Sequence, residues 1–573
     1  MLRLTLPLVT VIAGFCAAAG CFAGVLCGRA VLMEGAGAGQ NLNVSAEAWL
    51  LICGSVLIAS FILCLGRRPR WCLVALVVAP GFFASTLCRY PQPGGDDLSI
   101  SSGSLTLVCR VERVDARGRL YVHPETECDG PSGSILVYLP RSLSEDPPPL
   151  QGTVLRIRGP ARALLKRTRH RERSPPGGGR SRDWELRLYE MGVYTKIYCR
   201  RLEILELPAS PGLPADPFTA SRQAIVAGHR ANLDGDLGDL LSSIVLGDRT
   251  VRLSPEIRET FRVTGLSHLL AASGFNLSIL VGAVYFSVSL ITRNRLLISV
   301  TALAATASFV GLAGASASVV RAAIMVSFLI LARLSFRRLH SGAALAATLM
   351  VALSLDPLSI VDVGMQLSYA ATAVIVGGIG AVDRLATGGD RDKSEADSSE
   401  SFSIYARLRR WLIDSTAVIV LAQSGVLPLQ LFYFERLGLL FLPANLLIEP
   451  VVAPLTVAGF VSSTLLLVGA QVERFADGSL SQVVLLSGLF SGLFSILASG
   501  LDWLASFLLR YMIALARYLA GLEWATIEVE PVAIQGLVVY YFSLTYFLFC
   551  LSRQRQVFLG GIFLLAGLSM LFL

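Results

Sequence analysis

Charge is what this 573-residue chain has least of: Asp, Glu, Lys and Arg together make 16% of it, against 54% hydrophobic residues and a mean hydropathy of +0.63. That balance lies outside the range of soluble globular chains, so lipid is the expected main solvent. Lysine is nearly absent, standing only at Lys166, Lys196 and Lys393, and the formal charge of +8 is therefore an arginine charge. Arginine suits bidentate phosphate contacts but also marks cytoplasmic loop ends, so charge alone selects no ligand. The five histidines are scattered and form no binuclear cluster, and neither a metal nor another cofactor is expected. There is no Gly-Lys-Ser phosphate loop, so any work must be driven by a partner.

Of the eleven cysteines, seven (Cys16, Cys21, Cys27, Cys53, Cys64, Cys72 and Cys88) fall in the first three apolar stretches, where a small soft residue serves packing. The stretch from Leu4 to Leu32 is too long for a secretory signal core and is followed by further apolar stretches, so it is read as a first span.

Long apolar runs separated by short charged turns predict a polytopic α-helical membrane protein of about a dozen spans. Three helices are expected within 1–88, near 5–32, 48–66 and 71–88. The Arg67-Arg68-Pro69-Arg70 turn places the N-terminus in the cytoplasm and residue 89 onward outside. Residues 89–215 change character, with short β-branched and aromatic runs at Leu105–Val111, Leu120–Val122, Ser134–Leu139, Thr153–Arg158, Val193–Cys199 and Leu202–Leu207. Five or six such strands predict a small extracytoplasmic OB-like β-barrel domain. Cys109, Cys128 and Cys199 lie there, outside the reducing cytoplasm, and allow one disulfide with a thiol left over, the pair remaining open.

Between Arg162 and Arg182 a Gly- and Pro-rich stretch carries Lys166, Arg167, Arg169, Arg171 and Arg173, which are candidate phosphate contacts or equally a solvated linker. Residues 216–262 predict amphipathic helices on the membrane surface, with Leu237, Leu240, Leu241, Ile244 and Val245 at helical spacing. Spans resume over 263–510, and 511–573 carries amphipathic and membrane helices. The 439–470 run is open between one helix and two half-helices, because Pro443, Pro450 and Pro454 interrupt it. The polar stretch at 383–404 predicts a cytoplasmic loop.

Several motifs follow one another in a specific order. They are Gly247-Asp248-Arg249, then Phe261 to Gly274 (Phe-Arg-Val-Thr-Gly-Leu-Ser-His-Leu-Leu-Ala-Ala-Ser-Gly), then Gly314 to Met325 around Ser318 and Arg321. Asp356-Pro357-Leu358 with Asp362 to Ala371 comes next, and Pro428 to Phe434 with Pro443-Ala444-Asn445-Leu446-Leu447 closes the series. In this order and spacing the chain resembles the ComEC competence family of bacterial inner-membrane proteins. It departs from that family at Phe275-Asn276, where a Leu-His pair is usual, and the metallo-β-lactamase-like domain many members append is not expected here.

The resemblance implies a channel for single-stranded DNA crossing the cytoplasmic membrane in natural transformation. Its implied partners are membrane lipid, an external DNA receptor and a cytoplasmic helicase or translocase, with a separate nuclease left open. A polyanion needs a wet route through protein, and ionisable groups are tolerated at membrane depth only when buried or lining a cavity. Arg321 is a candidate phosphate contact or a snorkelling side chain. Ser273, Gly274, Asn276, Ser318, Gln366, Ser368 and Asn445 are candidate path-lining residues, or interhelical packing and hydrogen-bonding positions. His268 stands alone and is assigned no metal, and Ser267 or Ser273 with His268 lacks an orienting acid, so no enzyme is expected. A secondary transporter or flippase for another anion is the alternative.

Overall fold

The computed structural model describes residues 17, 18, 20, 21, 82, 104–114, 120–124, 134–139, 153–163, 193–206, 218–247, 251, 253–336, 340–386, 404–476, 481–522, 524–530, 532, 534–553 and 557–571. All of the three expected N-terminal helices but residues 17, 18, 20, 21 and 82, together with Lys166, Arg167, Arg169, Arg171, Arg173, Cys128, Asp248, Arg249 and most of the expected loop at 383–404, lie outside these residues. By internal contact the chain divides into a unit holding the β-strands (12–221 with 349–360) and a helical unit that includes Arg222–Thr348 and Val361–Leu573.

The six expected runs are six strands: β1 (Ser104–Val114), β2 (Leu120–Pro124), β3 (Ser134–Tyr138), β4 (Val154–Ala163), β5 (Val193–Tyr198) and β6 (Arg201–Glu206). Alternation sends Leu107, Cys109 and Val111 of β1 and Leu155, Ile157 and Ala161 of β4 inward, where they pack with Leu120, Val122, Ile135, Val137 and Ile197. The sheet runs β1-β2-β3-β5-β4 and closes by pairing β4 back onto β1, with β6 added along β4. The β3–β5 pair is parallel and the others are antiparallel. Closure forces β4 against β5 so tightly that a Cβ on Gly159 would sit 2.0 Å from the Tyr198 carbonyl oxygen, which only glycine avoids.

The helical unit begins with three short helices, α1 (Thr219–Asn232), α2 (Asp236–Leu246) and α3 (Pro255–Val263), and a single turn, α4 (Ser267–Leu270). Longer helices follow: α5 (Gly274–Ile291), α6 (Arg295–Leu312), α7 (Ala317–Leu334), α8 (Ser341–Leu355), α9 (Val363–Ala386) and α10 (Ile404–Phe434). After the short strand β7 (Arg436–Gly438) come α11 (Phe441–Ala476) and α12 (Ser481–Ala520). Strand β8 (Thr526–Glu528) pairs with β7, and α13 (Ile534–Arg553) and α14 (Val557–Ser569) end the order. Among the described residues six helical segments are long and apolar enough to cross a membrane: 274–291, 295–312, 363–382, 408–434, 441–472 and 490–520. Large apolar side chains such as Ile291 (86% exposed) and Phe542 (78%) turn outward, as lipid rather than water would require.

Local chemistry explains where these helices start and bend. Ser254, Ser273 and Asn294 cap α3, α5 and α6 by accepting first-turn backbone N–H groups. Gly247, at φ +95°, ends α2 with its Cα against Ala272, where a Cβ would meet that residue's backbone nitrogen at 2.9 Å. Pro428 interrupts α10 and removes the N–H that the Ser424 carbonyl would accept, and the Tyr540 hydroxyl of α13 donates to that carbonyl at 2.9 Å instead. Tyr541 likewise donates to the Gly425 carbonyl at 2.8 Å.

The 439–470 question is answered as one helix, α11, which contains Pro450 and Pro454. Pro443 falls in its first turn, where backbone N–H groups need no helical partner, and the Tyr511 hydroxyl of α12 donates to the Leu447 carbonyl near the interior prolines. The apolar stripe of α2 does not present itself as a membrane-surface face: Leu240, Leu241, Ile244 and Val245 are buried together with Ile448, Val452 and Leu455 of α11 and Leu509 and Met512 of α12. Helical spacing had specified an apolar stripe without specifying that protein covers it. The span expected to end near 509 continues as α12 to Ala520.

Candidate polar site in the helical unit

The turn before α7 is tight, with Gly314 at φ +69° and Ala315 at +49°, and it delivers Arg321 one helical turn into α7. Arg321 is only 9% exposed. Its Nη1 donates to Thr372 Oγ1 of α9 at 2.5 Å and approaches the Met325 sulfur at 3.9 Å. Its guanidinium lies 5.7 Å from the centre of the Tyr369 ring. Arg321 Nε and the Tyr369 hydroxyl are both buried without a hydrogen-bond partner among the described residues. Among the described residues no carboxylate pairs with the guanidinium, and the groups it is seen to contact, Thr372, Met325 and Tyr369, are neutral side chains.

Three of the expected residues surround it. Ser318, one turn earlier on α7, shares a 3.2 Å hydrogen bond with Ser368 of α9. Thr372, on the same helix, passes its own hydroxyl hydrogen to the Ser368 carbonyl at 2.8 Å. Gly274 opens α5 beside this cluster, and a Cβ there would lie 3.0 Å from the Ala322 Cβ and 3.4 Å from Arg321 Nη2. The first turn of α5 therefore approaches Arg321 closely because residue 274 carries no side chain.

The other expected residues are placed differently. Ser273 caps α5 by accepting from the Asn276 backbone N–H at 3.3 Å. Asn276 is buried and donates its side-chain amide to the Ile244 carbonyl at 2.7 Å, satisfying an acceptor in the last turn of α2. Gln366 accepts the Tyr433 hydroxyl of α10 at 2.7 Å, and Asn445 donates to the Phe441 carbonyl of its own helix at 2.6 Å. Asp356 and Asp362, within the family-like motifs, accept backbone N–H groups of Leu358 at 3.0 Å and Met365 at 2.8 Å, which are capping roles.

Tyr369 and Thr372 were not among the expected site residues. Thr372 lies one helical turn past Ser368, so the 3.6-residue period pointed to it once Ser368 was chosen, whereas Tyr369, inside a quoted motif, shares a face with Thr372 three residues on rather than with Ser368.

In the strand-bearing unit, the alternation that buries Leu155 and Ile157 leaves Arg156 and Arg158 exposed, with exposed Arg110 and Arg201 on neighbouring strands and Arg200 in the bend between β5 and β6. Arg158 pairs in register with Arg201, and Arg156 makes a 3.3 Å ion pair with Glu203. The Tyr138 and Tyr198 rings stack with centroids 5.1 Å apart, and Tyr198 is 41% exposed. Cys109 and Cys199 are buried in this core with no bond joining their two sulfurs. Each thiol points to a carbonyl instead, that of Leu155 at 3.6 Å and that of Arg201 at 3.3 Å. Burial pushes the Cys199 thiol above its ordinary range, which keeps it protonated at neutral pH.

The family model described as "Competence protein" matches residues 244–486, which contain the Arg321 cluster. ComE operon protein 3 of Bacillus subtilis (strain 168) is 26% identical over 246 residues, 43% of this chain and 29% of that protein. The match thus spans less than a third of the length of that curated relative. No solved structure matches the chain.

Proposed function

From the Competence-family domain at residues 244–486, we infer that this chain is the membrane channel through which single-stranded DNA enters a bacterial cell in natural transformation. The observation that carries the proposal is the buried, carboxylate-free Arg321. A guanidinium surrounded by neutral groups costs several kcal/mol relative to solvation, and a passing phosphate supplies the missing charge and an acceptor for Arg321 Nε. Ser318, Ser368, Thr372 and Tyr369 offer neutral hydroxyls beside it, which contact a phosphate weakly and release it, as conduction requires.

In this proposal the helical unit lies in the cytoplasmic membrane with the N-terminus inside. The five-strand closed barrel is OB-like and extracytoplasmic. Its exposed arginines and the Tyr138–Tyr198 stack suit a single strand, since charge follows the backbone and aromatic faces accept any base. The chain performs no catalytic step, and an external receptor and a cytoplasmic translocase supply capture and pulling. A carrier for a smaller anion would use Arg321 similarly, and one experiment separates the two. The gene is deleted in its host and complemented with wild type or Arg321→Ala while bound and internalised labelled DNA are counted. The channel predicts DNA bound but not internalised in the deletion strain, restored by wild type and not by Arg321→Ala. Undiminished transformation in the deletion strain would remove the DNA role and favour the carrier.

A further inference from the structure

A second buried polar cluster lies where α1 and α2 meet α11 and α12, and it contains a histidine and a carboxylate that are both 0% exposed. Asp502 Oδ2 accepts the Asn232 side-chain amide at 2.7 Å, and Asn232 Oδ1 in turn accepts from Ser499 at 2.9 Å. Asp502 Oδ1 has no hydrogen-bond partner and sits 3.9 Å from His229 Nε2. The imidazole is held at both ends, by Ser242 Oγ at 3.0 Å on Nδ1 and by Ser463 Oγ at 3.4 Å on Nε2. Ser463 commits its own hydrogen to the Gly459 carbonyl at 2.7 Å, so the Nε2 contact requires a hydrogen on Nε2.

No other described charge is available to neutralise this pair. Residues 450–472 of α11 carry none, and Asp502 is the sole charged residue between Phe490 and Leu509 of α12. On α1, Arg230 is tied to Asp239 of α2 at the surface, and Arg222 is committed to the carbonyls of Gly311 and Leu312. Asp234 and Asp236, at the turn between α1 and α2, are exposed. With a neutral imidazole and an ionised carboxylate the cluster would hold one uncompensated negative charge in a dry interior, and a single added proton cancels it.

We propose that His229 and Asp502 form a buried one-proton binding site that is loaded at neutral pH, and that losing this proton opens the joint between α1–α2 and α11–α12. Burial pushes the His229 imidazolium below its ordinary range, with the Asp502 charge opposing. Both residues lie outside the matched span 244–486, His229 on α1 before it and Asp502 on the part of α12 that runs beyond it.

The sign of the pH dependence follows from proton counting. An opened pair has ordinary pKa values of about 3.9 and about 6.5, so it holds one proton between them and none above. The closed pair still holds one above about 6.5. Closure is therefore indifferent to pH from about 4 to about 6.5, and above that the opening constant rises about tenfold per pH unit until the site empties.

Hydrogen exchange of residues 219–246 in the full chain in lipid nanodiscs, corrected for intrinsic chemical exchange, measures this opening. The expected wild-type profile is flat in mild acid and climbs about tenfold per unit above about pH 6.5. Asp502→Asn and Asp502→Leu should both lose the rise above about pH 6.5 and open more readily in acid below it, because the freed imidazole takes up a proton that the buried one resists, and either one that folds suffices. His229→Gln should move the onset down to about pH 4, because only the carboxyl then titrates. A flat wild-type profile, an Asp502 variant that keeps the rise, or an unmoved onset in His229→Gln would overturn the proposal. So would a profile present in sodium chloride and lost in choline chloride, which would make the ligand a metal cation.

Discussion

Removing the Tyr540 hydroxyl with Tyr540→Phe leaves the ring in its buried place and withdraws one hydrogen bond, the 2.9 Å donation to the Ser424 carbonyl. That carbonyl lacks its helical donor because residue 428 is proline. Interhelical hydrogen bonds in membrane proteins average about 0.6 kcal/mol and reach about 1.7. An acceptor with no alternative partner belongs near the upper figure, so Tyr540→Phe should cost about 1.5 kcal/mol. The cost should depend on the proline. In a Pro428→Ala background the backbone N–H of residue 428 can serve Ser424, and the same Tyr540→Phe change should cost no more than about 0.5 kcal/mol. The resulting coupling of about 1 kcal/mol is measurable by reversible unfolding of the four proteins in mixed detergent micelles, taken as a double-mutant cycle. Equal costs in the two backgrounds would refute the assignment of Tyr540 as the substitute donor for a proline-freed carbonyl.

Asn276→Leu should behave as a stability change rather than a transport change. It removes the 2.7 Å bond to the Ile244 carbonyl at the end of α2 and should cost about 1–3 kcal/mol, with DNA internalisation falling only in step with the amount of folded protein. Gly159→Ala should prevent barrel closure, because its Cβ would enter the space of the Tyr198 carbonyl. Limited proteolysis of the full chain should then cut within 104–206 at a protease concentration the wild type resists, and a resistant variant would contradict the tight β4–β5 crossing.

Much of the architecture was legible because each element declares its own period. The six strands stood where β-branched and aromatic runs alternated between turns, and among the described residues six helices are long and apolar enough to cross a membrane, where apolar length had suggested about a dozen spans along the chain. Proline punctuation was less decisive. It suggested a break in 439–470, but a proline in a first helical turn removes nothing, and α11 continues through Pro450 and Pro454 with the neighbouring Tyr511 hydroxyl on the Leu447 carbonyl. Arg321 was a visible candidate because an arginine in an apolar segment is costly by itself. Asp502 sent the same signal, a lone charge in a long apolar run, yet it gained meaning only beside His229.

The sequence by itself marked a chain suited to lipid, the positions of β1 to β6 and of the long apolar helices among the described residues, and which few charges had to be accommodated inside it, since composition and periodicity act along the chain. Tertiary structure alone decided what those charges meet. Arg321 reaches Thr372 and Tyr369 on another helix, and His229 reaches Asp502 across almost half of the chain. The stripe of α2 turns to protein instead of lipid, and β4 returns to β1 to close the barrel. None of these pairings has a local sequence period, because each is settled by which buried surfaces and polar groups can satisfy one another at once.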